Sequence, residues 1–317
     1  MFEIGYTLSS EEFAPRELVR FAARAEETGF SFALVSDHFH PWIDAQGQSP
    51  FVWSVIGGVS QATERLCLGT GVTCPLIRIH PGIVAQAAAT SEAMMPGRFF
   101  LGVGTGENLN EHIFGDRWPP AAERLSMLEE AVACIRELWK GKDTTFRGDH
   151  YTVENARIYT LPEEPPPIYV AAAAEKAAGL AGRIGDGMIS VAPNEDVIEA
   201  FEKSGGRGNP TYGQVHVCWA ESEEEARATA MRQWPNTSIK GESGQELPLP
   251  RHFEQLAEMV TENEVAESIP CGPDPEWHLQ AIREYADAGF DHVYVHQIGH
   301  DQEGFFRFYE REVLPKL

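Results

Sequence analysis

The chain predicts an α/β fold, a (β/α)8 TIM barrel, on three observations. Apolar runs rich in β-branched residues occur eight times, and a helical pattern follows each. The runs are nearly continuous rather than alternating, as for parallel strands covered on both faces. ETGFSFALVSDH near the start recurs as DAGFDHVYVH near the end, with a helix-stopping glycine entering a strand both times. Eight such units in 317 residues describe a barrel. A doubly wound open sheet is the alternative.

Each element follows in order. Residues 2–8 form a short strand. In APRELVRFAARAEETG, Pro15 suits a first helical turn, and Leu18, Phe21, Ala22 and Ala25 mark one face. Gly29 stops that helix before a strand at 30–36. A helix at 50–62 leads to strand LCLGTGVTC, and helix HPGIVAQAAATSEAMM to strand RFFLGVGTG. Leu125, Leu128, Val132, Ile135 and Trp139 step by three and four along the most regular helix. PIYVAAA, GMISVA, QVHVCWA and HVYVHQI complete the strands, and FFRFYEREVL is the last helix. One domain, 1–317, is expected with two inserted segments. Residues of about 143–166 read as a hairpin and a proline-rich connection; about 235–272 read as a lobe with a helix near Phe253–Met259.

Charge restricts the partners. The net charge of −23 repels nucleic acid and anionic membrane, so neither is expected as a partner. An anionic ligand must then find helix N-termini, backbone N–H groups and a few cations. The five cysteines (Cys67, Cys74, Cys134, Cys218, Cys271) are odd in number and form no C-x-x-C pair, which excludes a disulfide framework. No apolar run approaches the ~18 residues of a membrane span, and no signal-peptide pattern opens the chain; a cytoplasmic protein is expected.

Chemistry in a barrel collects where strands end. Asp37, His38 and His40 in LVSDHFHPW lie just past strand two. H-x-H there admits a metal-dependent hydrolase, but later strand ends would have to add ligands. Only Glu107, His216 and His296 could, and the two histidines sit among β-branched residues, a setting that equally suits satisfied core groups. No metal is expected. GVGTGE has the wrong glycine spacing for a dinucleotide fingerprint. It supplies backbone that a flat ligand can approach, then the carboxylate of Glu107; an ordinary tight turn is the alternative. AAAAEKAAGLAGR runs small residues into a helix start whose free N–H groups suit a phosphate, or merely begin a helix.

Together these residues resemble a known family. SDHFHPW after strand two, GTGV after strand three and FLGVGTGENLNE after strand four look like the coenzyme F420-dependent branch of the luciferase-like barrel superfamily. AGRIGDGMI and GHDQEGFFRFYEREVLP continue the resemblance, which is closest to the F420-dependent glucose-6-phosphate dehydrogenases and covers nearly the whole chain. It implies a deazaflavin across the barrel mouth, taking a hydride from an alcohol carbon. By similarity Asp37, Gly71, Val72, Cys74, Gly104, Gly106, Glu107 and Asn110 line it, with Gly71–Val72 as a cis peptide. The cofactor phosphate falls at Ala173, Ala174, Glu175, Lys176 and Ala177. His38 would be the base for the hydroxyl proton, since imidazole titrates near neutrality. Trp42 would wall the site. Glu107 would neutralise charge arriving on the ring, if burial raises its pKa. Glu11 matches a carboxylate that shapes the substrate pocket; His40 reads as a loop or substrate contact.

One departure concerns the substrate. Where sugar-phosphate members hold cations, this chain has Asn194, taken here as substrate-binding, and Ser268; Lys240 and Arg251 are the cations near the middle position. A dianion site without fixed cations is costly in so acidic a protein. The expected reaction is therefore F420-dependent dehydrogenation of an alcohol or sugar hydroxyl rather than a sugar phosphate, by a homodimer as in relatives. The alternatives are an F420-dependent glucose-6-phosphate dehydrogenase, a reduced-F420-dependent reductase, an FMN-dependent monooxygenase, a catalytically silent binding relative and the metal hydrolase.

Overall fold

A computed structural model describes residues 2–239 and 241–317. Ten strands occur among them: β1 (Glu3–Leu8), β2 (Phe32–Val35), β3 (Cys67–Thr70), β4 (Phe99–Val103), β5 (Thr144–Arg147), β6 (Thr152–Ala156), β7 (Ile168–Ala171), β8 (Gly187–Ser190), β9 (Thr211–Val217) and β10 (His292–Gln297). Eight close into a parallel barrel in the order β1-β10-β9-β8-β7-β4-β3-β2. The barrel expected from the sequence is the barrel found. β5 and β6 form a separate antiparallel hairpin at the end of the long helix Ala121–Leu138. The Glu130 carboxylate of that helix accepts the backbone N–H groups of Asp149, His150 and Tyr151.

Alternate residues of a strand face the same side, so each barrel strand sends every second residue inward. The floor is aromatic: Phe32, Phe100, Tyr169, Tyr212 and Tyr294 pack with Leu34 and Ile189. Tyr212 stands edge-on to Phe32 at 5.0 Å and stacks on Tyr169 at 5.1 Å. Glycine makes room for these rings: a Cβ on Gly69 would lie 1.8 Å from the Phe100 ring. The bottom is thereby filled, and open space remains only toward the C-terminal ends of the strands.

Several strands stop earlier than their apolar runs. LCLGTGVTC pairs as sheet only through Cys67–Thr70, and Thr73 returns to Val103 in a single bridge. Between them the Gly71–Val72 peptide is cis, as the resemblance implied. β9 begins at Thr211 rather than Gln214 and ends at Val217, because Trp219 N–H donates to the Gln297 side chain instead of to a strand.

Four short helical turns, Pro235–Ser238, Ser243–Glu246, Pro250–Ala257 and Glu262–Ser268, lie between β9 and β10. They are tied to the mouth. Phe253 packs with Ile43, Leu109 and Trp42; Asp44 N–H donates to Glu254 at 3.0 Å; Asn108 donates to the Glu246 carbonyl at 2.9 Å.

Candidate active site

A cavity of about 380 Å³ opens at the barrel mouth. Its wall divides by strand. After β3, β4 and β7 it is backbone and small side chains: Gly71, Val72, Gly104–Gly106, Ala171–Ala173 and Ala177, with Glu107 at the end. From β8 round to β2 it is side chains: Ser190, Gln214, His216, His296, Thr7, Ser9, Glu11, Ser36 and His38. Trp42, Trp234, Asn236 and Phe253 roof the second half.

His38 is held by acceptors. Its Nδ1 lies 3.4 Å from Glu11 Oε1 and 3.3 Å from the His40 carbonyl oxygen. Two acceptors on one side place the hydrogen on Nδ1 and leave Nε2 its lone pair. Glu11 is fixed in turn, its Oε2 accepting from Ser36 Oγ at 2.6 Å and Ser9 Oγ at 3.2 Å. The Trp42 ring lies 5.2 Å from His38 and is backed edge-on by Phe253 at 5.2 Å.

The opposite half is shaped by close approach. A Cβ on Gly104 would sit 2.7 Å from Val72 Cγ2, and one on Gly106, at φ +72°, 2.6 Å from Cys74 Sγ. Beyond it the helix Glu175–Ile184 starts from Ala174, whose side chain has no acceptor for the first N–H groups. That first turn, uncapped by Ala174, begins beside Ala173 and Ala177 of the wall. Ala174, Glu175 and Lys176 are exposed at the same turn, outside the cavity lining.

Other candidates lie behind the wall. Asp37 is buried, one oxygen taking Arg78 Nη2 at 2.8 Å and the other Thr73 Oγ1 at 2.8 Å. Arg78 also meets Glu111 at 3.4 Å, so one guanidinium ties together the loops after β2, β3 and β4. Desolvation pushes the Glu111 carboxyl up. Asn110 Oδ1 accepts the N–H groups of Phe39 and His40 at 2.9 and 3.1 Å; its amide reaches Glu107 at 3.4 Å. Cys74 is buried, and burial holds its thiol pKa well above the ordinary value. Glu107 is half-buried. His40 is a loop staple, Nδ1 meeting the Leu109 carbonyl at 2.9 Å. Asn194 is exposed and off the cavity: it caps helix Glu195–Phe201, accepting Asp196 N–H at 2.9 Å. Arg251 and Ser268 are also exposed and off the cavity, and Lys240 lies outside the described residues. Among the described residues, no group of three His, Cys, Asp or Glu could hold a metal ion.

A model of the luciferase-like monooxygenase family matches residues 1–292. The chain belongs to that family. This luciferase-like barrel is 39% identical over 325 residues to the F420-dependent glucose-6-phosphate dehydrogenase of Nakamurella multipartita, covering 99% of this chain and 96% of the relative. It is 37% identical over 324 residues to the enzyme of the same name from Microbacterium testaceum, with 99% and 96% covered. An F420-dependent secondary alcohol dehydrogenase, solved with an F420–acetone adduct, superposes with a TM-score of 0.91 at 30% identity over 98% of both chains. The F420-dependent tetrahydromethanopterin reductase from Methanopyrus kandleri shares the fold, with a TM-score of 0.80 at 19% identity over 99% of both chains.

Sequence reasoning missed much of the side-chain half of this luciferase-like site. Ser190, Gln214, Trp234, Asn236 and Phe253 went unnamed as site residues, and His216 and His296 were left between core and ligand roles. Alternation gave a usable signal: Tyr212, Gln214 and His216 share a face, as do Tyr294 and His296, and each series turns polar toward the mouth.

Proposed function

We propose that this luciferase-like barrel is a coenzyme F420-dependent dehydrogenase of neutral alcohols or sugar hydroxyls. The observation that carries the reading is the pairing of His38, with Nδ1 held by two acceptors, and a facing wall of bare backbone. The residues fit the cofactor. The glycine–alanine half leaves a slot that flat rings can approach, and the uncapped N–H groups at Glu175, Lys176 and Ala177 suit an anionic tail. When bound there, the deazaflavin supplies the hydride acceptor. His38 Nε2 takes the hydroxyl proton, and the imidazolium is stabilised by Glu11 across Nδ1. Trp42 and Phe253 exclude water from the reacting carbon. Glu107 stands on the cofactor side, its carboxylate 3.4 Å from the Asn110 amide. A small-molecule substrate fits such a site, and among the described residues no helix is long and apolar enough to cross a membrane.

The neutral substrate rests on electrostatics. No Lys or Arg stands among the described residues lining the cavity, whereas two carboxylates do, Glu11 and Glu107. A phosphate dianion there would lack the charge-assisted partners that such recognition requires. The relatives named for glucose 6-phosphate supply the competing reading. The test mixes the protein with F420, FMN and NADP separately, then offers propan-2-ol, glucose and glucose 6-phosphate. Bleaching of oxidised F420 by the neutral compounds and little by the sugar phosphate is expected. Fast turnover of glucose 6-phosphate refutes the substrate assignment; tight FMN binding with indifference to F420 refutes the cofactor. Sedimentation of the purified protein checks the proposed homodimer.

A further inference from the structure

The inward residues of β9 and β10 are tyrosines deep in the barrel and histidines at the mouth. His216 Nδ1 lies 2.9 Å from His296 Nδ1, and His296 Nε2 lies 3.0 Å from Glu12 Oε2. Glu12 is fully buried, its other oxygen accepting Gly299 N–H at 3.1 Å. Trp234 closes the group, edge-on to His296 at 4.6 Å and 5.8 Å from His216.

The hydrogen positions follow from chemistry. A carboxylate only accepts, so His296 Nε2 donates to Glu12. With a neutral His296 ring, Nδ1 accepts, His216 Nδ1 donates, and His216 Nε2 keeps a lone pair in a side chain that lines the cavity. Burial lowers the His216 pKa to about 3, in keeping with a neutral ring. The chain ends at a buried carboxylate rather than at the surface, so it is no exit for protons; its effect is to fix a tautomer. Three further residues of the wall carry buried polar atoms with no partner among the described residues: Ser190 Oγ, Trp234 Nε1 and Asn236 Oδ1. Buried polar groups are ordinarily satisfied, so an uncharged set gathered at one cavity points to a ligand with hydroxyls.

We propose that Glu12, His296 and His216 form a recognition arm for a second hydroxyl of the substrate, so that the dehydrogenase favours neutral diols and polyols over monoalcohols. This rests on the function assigned above. His38 serves the reacting hydroxyl; His216 accepts from another. Glu12 and His296 are positioning residues that act through His216.

Two measurements test it. The first needs no cofactor: imidazole 15N spectra of the protein are recorded with glycerol, glucose or propan-2-ol. A tautomer with hydrogen on His216 Nδ1 is expected, together with a response at His216 Nε2 to the polyols and little to propan-2-ol. The second compares kcat/KM for glycerol and glucose with that for propan-2-ol. His216→Phe should lower the polyol-to-monoalcohol ratio about tenfold, the value of one hydrogen bond to an uncharged partner. His216→Gln, which keeps an acceptor, should restore part of it. Glu12→Gln conserves shape but can donate to His296 and reverse the chain, so it should also lower the ratio. A ratio unmoved by His216→Phe and Glu12→Gln, or a His216 signal blind to polyols, overturns the arm even if F420 is reduced. A protein that ignores F420 yet shows the His216 response supports the arm and refutes the dehydrogenase reading alone.

Discussion

The two halves of the barrel mouth are built from opposite materials. Along β3, β4 and β7 the chain withdraws its side chains and offers backbone, through Gly71, Gly104, Gly106 and a run of alanines. From β8 to β2 it offers directional groups, two of them histidines braced by partners behind them: His38 by Glu11, His216 by His296 and Glu12. A broad planar ring gains most from close approach over its area, whereas a small alcohol is held by a few aimed hydrogen bonds. The contrast teaches that one mouth can serve two ligands of different shape when each half is specialised. If so, damage to one half should leave the other's ligand bound.

The sharpest way to break the comparison is His38→Ala. Turnover should fall by the ~10² to 10⁴ of a lost general base, while F420 affinity by fluorescence titration stays near that of the parent. A comparable loss of cofactor binding would merge the halves.

The next effect is on the joint between them. Arg78 touches Asp37 and Glu111 with all three side chains nearly solvent-free. Arg78→Met leaves two buried carboxylates without their cation. Stability in a urea titration should drop by about 3–5 kcal/mol, the usual consequence of breaking a buried pair from one side. A drop of under about 1 kcal/mol, typical of exposed pairs, would mean that the loops are held elsewhere.

How far the sequence reached follows the same division. The backbone half was legible in part because it is written in residue types: strand-end glycines read as close approach or as a tight turn, and the family resemblance chose between them. The barrel was legible because near-continuous apolar runs and helical faces are local patterns. His38 stood out as a histidine just past a strand, Trp42 and Glu11 came from the family resemblance, and all three line the cavity. Pairings over distance were not legible. Nothing near Asp37 shows that Arg78 takes its carboxylate from 41 positions away. Asn194 looks the same whether it binds a ligand or caps a helix, since one short amide serves both. The lobe between β9 and β10 has no long periodic face, so Trp234 and Phe253 could not be assigned to the roof from their neighbours alone.

On the backbone half, Gly104→Val should weaken F420 binding by about tenfold, or 1.4 kcal/mol. A Cβ there would press on Val72 Cγ2 at 2.7 Å and on Ala171 at 3.3 Å, pushing the two edges of the slot apart. The 15N response of His216 to glycerol, measured without cofactor, should survive, because it belongs to the other half. Loss of both together would show the halves to be one unit.

The smallest effect separates two uses of the same atoms. Ala174 has the extended backbone of an N-cap, φ −149° and ψ 159°, but no side-chain oxygen to receive the first helical N–H groups. Ala174→Ser supplies one, which should stabilise the protein by about 1 kcal/mol. If those N–H groups hold the anionic tail of the cofactor, the serine competes for them, and F420 affinity should fall a few-fold as the melting temperature rises. The trade-off is specific because an ordinary helix start would show only the gain. Higher stability with unchanged F420 affinity would remove the phosphate from this turn and leave the slot to bind the ring alone.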